Sequence, residues 1–152
     1  MTPIDRHLAD LAEQTGVTIE YRRLPHGRDG DYIHDRKLIR LRPGMSARLH
    51  RSVLAHELGH AAFADTPSPF GPVHAKQERR AEEWAALQLV DLDEYRYLEQ
   101  IHHGHAGALA LDLGVMRSIV LAYQGLLERV GDTLYLRPKM GAGQWAHREE
   151  VA

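Results

Sequence analysis

Cysteine is absent from the 152-residue chain. Its absence excludes a disulfide framework, a thiolate-held metal and a cysteine nucleophile, so any metal must be held by His, Asp or Glu. No segment approaches the roughly 18 consecutive apolar residues of a membrane span. A basic surplus is lacking too: 19 Lys and Arg stand against 21 Asp and Glu, for a net charge of −2. That balance argues against an electrostatic nucleic-acid binder. The first twenty residues carry Asp5, Asp10 and Glu13 and no apolar run, which predicts no signal peptide and a cytoplasmic protein. Internal repeats are missing as well. What remains is an ordinary globular composition, 43% apolar and 26% charged, with chain enough for one domain and a real core.

Taken in order, Thr2 or Asp5 can cap a helix running to about Thr15, with Gly16 as its stop. Val17 to Leu24 alternates and reads as a strand. A turn from Pro25 to Gly30 leads to short strands around Tyr32-Ile33 and at Lys37 to Leu41, for a small antiparallel or mixed sheet of about three strands. Ile39 and Leu41 share the face expected to be buried. Ser46 caps a long helix to about Ala64, apolar on nearly every side and therefore buried. Its strip of Ala55, Gly59 and Ala62 suits close approach by another backbone. Thr66 to Pro72 reads as a loop, and a helix from about Lys76 to Val90 follows. Asp91 or Asp93 starts another to about His103, and two more helices span about Ala106 to Leu113 and Met116 to Arg129. Thr133 to Leu136 alternates as if returning to the sheet. The reading is a single domain over residues 1–138 and a flexible tail over 139–152.

The chemistry is concentrated in the long helix, at Leu54-Ala55-His56-Glu57-Leu58-Gly59-His60. One helical turn separates His56 from His60, so both imidazoles can reach one metal ion. Glu57 projects beside that ion, where it can take a proton from an attacking water. The chain holds 11 His, so a short motif needs support elsewhere. A catalytic zinc usually takes three protein ligands and keeps a fourth position open. Glu78, at the start of the next helix, is the leading candidate for the third, with His74 as the alternative. Glu82 lies one turn beyond Glu78 and can accept the N–H of a ligand imidazole, fixing its tautomer. Ala81 and Ala85 would let that helix come close. Tyr95, Tyr97, His102, His103 and His105 are candidates for stabilising the transition state, and the strand Lys37 to Leu41 is the candidate edge for binding a peptide.

The motif of His56 to His60, a loop, and then Glu78-x-x-Ala81-x-x-Trp84-Ala85-Ala86 resembles the ImmA/IrrE metallopeptidases. Arg40-Leu41-Arg42-Pro43-Gly44 leading into Arg51 fits them as well, and the likeness covers about residues 15–125. The chain departs from these proteins at Glu82, where members carry Asn or Asp, and at Trp84, where they carry Phe. The resemblance implies His56, His60 and Glu78 as zinc ligands and Glu57 as general base. It further implies a peptidase that cuts a helix-turn-helix repressor of the phage or mobile-element type, with a protein substrate as partner. The short chain resembles the phage or prophage members, which carry no sensor domain.

The expected fold is α+β and gluzincin-like: a small sheet packed on the zinc-bearing helix, then a helical half with a helix-turn-helix-like pair at about 104–127. That pair matches the spacing of a DNA reader at Ala110, Gly114 and Val120. Between Gly104 and Leu127 its only formal charges are Asp112 and Arg117, too few for phosphate contacts, so packing is the expected role and direct DNA binding is not expected. The reading from another class is a non-catalytic regulator that binds a repressor, or DNA, through this helical half.

Overall fold

Helix caps decide where the first elements begin in the computed structural model, which describes residues 1–130, 134–138 and 145–150. Thr2 accepts the Asp5 N–H at 3.1 Å and opens α1 (Pro3–Thr15); Gly16, at φ 73°, closes it. Leu8, Leu11 and Ala12 face inward. The chain then forms β1 (Thr18–Tyr21), β2 (Gly30–Ile33) and β3 (Leu38–Leu41). The sheet is mixed, in the order β1-β3-β2: β1 runs parallel to β3 and β2 antiparallel to it. Ile39 and Leu41 are fully buried on one face of β3, as their alternation predicts.

That strand order corrects one expectation. β3 is paired on both sides, so the stretch Lys37 to Leu41 has no free edge for a peptide, and β2 holds an outer edge instead. Alternation could place residues on faces, but nothing local could say which strand lies in the middle.

Ser46 accepts the Leu49 N–H at 3.2 Å and starts α2 (Ala47–Ala62), which crosses the core. It meets α3 (Gly71–Leu89) at a close crossing built on Gly59. A Cβ at Gly59 would lie 2.8 Å from the Ala81 carbonyl oxygen, so only a hydrogen fits there. α3 starts five residues earlier than the sequence predicts, and Gly71-Pro72 belongs to it rather than to the loop. Proline lacks only an N–H that the first helical turn leaves unpaired, so it is welcome there.

Asp91 caps α4 (Leu92–His102), and α5 (Ala106–Leu113) and α6 (Arg117–Val130) follow. Leu109, Ala110, Leu113, Val115, Ile119, Val120 and Tyr123 are buried, so the helix-turn-helix-like spacing serves the core. Polar contacts pin the α5–α6 turn to α2: Arg48 donates to the Val115 carbonyl, Arg51 to the Gly114 carbonyl, and the Met116 N–H to Ser52 Oγ. β4 (Leu134–Pro138) pairs antiparallel with β5 (Trp145–Glu150) in a second sheet, so it does not rejoin the first as expected. Thr133, and residues 139–144 and 151–152 of the expected tail, lie outside the described residues. Among the described residues no single helix is long and apolar enough to cross a membrane.

Candidate metal centre

Helical periodicity puts His56 and His60 on one face of α2, with their Nε2 atoms 3.2 Å apart. The close crossing at Gly59 brings α3 near enough for a short carboxylate to reach both rings. Glu78 Oε2 lies 2.8 Å from His56 Nε2, and its Oε1 lies 3.4 Å from His60 Nε2. One donor atom from each of the three falls within 4.8 Å of the others, a group that could hold a metal ion. His74 stands one turn before Glu78 on α3, exposed at the rim, with Nε2 3.9 Å from Glu78 Oε1. It borders the site but is not in the three-residue group. Because α3 starts early, His74 is a helical residue rather than a loop one.

Each imidazole has a carboxylate behind it. Glu82 Oε1 is 3.2 Å from His56 Nδ1, across the next turn of α3 from Glu78. Asp65 Oδ2 is 2.9 Å from His60 Nδ1, and its other oxygen accepts from Arg80 at 2.6 Å. Sequence reasoning missed Asp65. It lies outside the helical register, and it reaches His60 only because the chain doubles back after α2.

Glu57 is buried against the two histidines. Burial pushes its carboxyl up to about 7, with the His56 and His60 charges pulling the other way. Burial opposes the charged form of His56, but hydrogen bonds to Glu78 and Glu82 outweigh it and raise the ring to about 10. His60 is raised in the same manner, against its own burial, by Glu78 and Asp65. Glu78 is held well below the usual carboxylate range by its hydrogen bonds with His56 and His60. Imidazole and carboxylate bind a cation only when deprotonated, so metal binding at such a cluster would release protons.

The cluster opens into a cavity of about 820 Å³. Asp31 and Tyr32 of β2, the stretch Thr66 to Ser68, and Met116 all line it. Gly30 lets β2 lie against α2, since a Cβ there would fall 2.7 Å from Val53 Cγ1. β2, an outer strand of the sheet, thus lines the same cavity as the His–Glu cluster.

The residues expected to stabilise a transition state lie elsewhere. Tyr95 is buried in the core against Tyr123, with ring centroids 5.0 Å apart. His102 pairs with Asp112, His103 closes α4 at φ 51°, and His105 caps α5 by accepting the Ala108 N–H at 3.1 Å. Tyr97 is exposed. None of them lines the cavity.

The profile of Peptidase_M78, the IrrE N-terminal-like domain, matches residues 12–122. A solved structure of a Mycobacterium tuberculosis transcriptional regulator is similar in fold, with a TM-score of 0.58 at 19% identity. The match covers 96% of this chain and 49% of that one, so the chain spans about half the length of that structure. No curated protein matches.

Proposed function

The chain belongs to the Peptidase_M78 family of IrrE N-terminal-like domains, and from that membership we propose that it is a zinc-dependent endopeptidase that cuts a helix-turn-helix repressor, giving derepression. The observation that carries the reading is the convergence of His56, His60 and Glu78 beside buried Glu57 at the mouth of a cavity. Two imidazole nitrogens and one carboxylate oxygen are a donor set for a catalytic zinc, which keeps one position open. Ligands 2.0–2.1 Å from one tetrahedral ion sit roughly 3.3 Å apart. The 3.2 Å between the imidazoles and the 3.4 Å from His60 to Glu78 suit that spacing, and the 2.8 Å from His56 to Glu78 needs only a small opening.

Zinc would supply Lewis acidity, acidifying water and polarising a peptide carbonyl. The chain's own residues supply the rest. Glu57, buried beside the two histidines, would take the proton of the attacking water and hand it to the leaving amine. Glu82 and Asp65 hold the rings from behind. The outer edge of β2 offers unpaired backbone groups to which an extended peptide can add as a further strand, delivering its carbonyl to the cluster.

The rival is a non-catalytic regulator that binds a repressor, or DNA, through its helical half; the structural relative is a transcriptional regulator. Two measurements separate them. Purified wild type should hold close to one zinc per chain, and Glu78→Ala far less. Co-expressed with a helix-turn-helix repressor of the phage type, wild type should produce repressor fragments, while Glu57→Gln keeps its zinc and leaves the repressor whole. Metal-free wild type would sink the peptidase reading. Repressor inactivation that survives Glu57→Gln without fragments would favour the binder.

A further inference from the structure

His60 has a support that the motif does not contain. After α2 the chain passes through Ala64 at φ 52°, a left-handed conformation that a residue with a Cβ adopts only when its surroundings enforce it. That turn returns the Asp65 N–H to the His60 carbonyl at 2.9 Å and sends the Asp65 side chain to the back of the His60 ring. Asp65 is 8% exposed. Its carboxylate lies between two groups, His60 Nδ1 at 2.9 Å and Arg80 Nη2 at 2.6 Å. The Arg80 guanidinium is itself fixed, 4.1 Å above the centre of the Phe63 ring.

We propose that Asp65, oriented by Arg80, is the positioning residue that makes His60 a metal donor. An ionised carboxylate can only accept hydrogen bonds, so Nδ1 carries the proton, and when the ring gives up its second proton to bind a cation it is Nε2, on the side of His56 and Glu78, that is left with the lone pair. Arg80 decides more than the carboxylate's position. A guanidinium can only donate, so whatever occupies position 65 must turn an oxygen toward it. An aspartate has a second oxygen left for His60. An asparagine does not: Arg80 would claim its oxygen and turn the amide NH₂ onto Nδ1, favouring the tautomer with Nε2 protonated and unable to bind metal.

The inference rests on the metal reading above, and zinc titration of the full chain against a competing chromophoric chelator tests it. Asp65→Asn and Asp65→Ala should each bind zinc about 10–100-fold more weakly than wild type. Adding Arg80→Met to Asp65→Asn frees the amide to turn, and the double variant should recover most of the loss. A purely structural role predicts the reverse, since the second change removes a further contact. Asp65→Asn within about threefold of wild type, or a double variant no tighter than the single one, overturns the inference. The two readings fail differently: a wild type that holds no zinc fails the metal reading, whereas a zinc-binding wild type with indifferent variants fails only this one.

Discussion

At the scale of single residues, the centre depends on side chains whose neighbours set their protonation. Glu57 follows His56 in sequence and is itself buried, so its carboxyl is pushed up toward neutral pH. Glu57→Gln keeps the shape and loses the base. Single-turnover cleavage should fall about 10²–10⁴-fold with zinc content unchanged. Glu82→Gln still offers an oxygen to His56 Nδ1 but no charge, so zinc affinity should fall only modestly, about tenfold or less by chelator competition. The periodicity of α2 makes the shared face of His56 and His60 readable from sequence, because one turn of helix is a local fact. Asp65 was not readable. Its approach to His60 depends on Ala64 leaving the helix left-handed, which no spacing rule signals.

At the scale of elements, the site is a product of how α2 meets α3 and α1. In a free helix Gly59→Ala would stabilise by about 1 kcal/mol. Here the added methyl would press on the Ala81 backbone, so the variant should lose about 1–3 kcal/mol in urea unfolding and bind zinc more weakly as α3 retreats. The strip of small residues was legible, and so was the small face at Ala81 and Ala85; that Gly59 in particular lies on the Ala81 backbone needed the fold. At its other end α2 is tied to α1. Arg51 donates to both Asp5 oxygens, at 2.9 and 3.0 Å, and the Arg51 hydrogen bond holds the Asp5 carboxyl well below the usual range. A depressed folded-state value contributes stability that is present above the unfolded pKa, about 3.9, and is lost as pH falls through the folded one. Asp5→Asn should therefore be less stable than wild type at pH 6. The gap should narrow as the pH of the melts is lowered from about 5 to 3.

At the scale of the whole molecule, a bound ion would join α2 to α3 across the core, so metal removal should be felt globally. Zinc at about 100 times its dissociation constant adds about 2.7 kcal/mol. Chelation should lower the Tm of wild type by about 5–10 °C in calorimetry. Glu78→Ala should show little response to the same chelator. An equal response in both would mean that the ion stabilises the protein from some other place.

Residue chemistry and local periodicity alone established that any metal site uses no thiolate, that His56 and His60 share a helix face, that Ser46 caps α2, and that Ile39 and Leu41 face inward. Each of these follows from residue chemistry or from a period of two or 3.6 residues, which neighbouring positions carry among themselves. Only the tertiary structure decided that β3 lies between β1 and β2 and leaves β2 at the cavity, that Glu78 rather than His74 comes within reach of both imidazoles, and that Tyr95 and His102 to His105 lie away from the site. It also put Asp65 behind His60. These outcomes depend on which elements pack together and how closely, as at Gly59 over Ala81. Contacts between elements distant in the chain leave no periodic trace in either one.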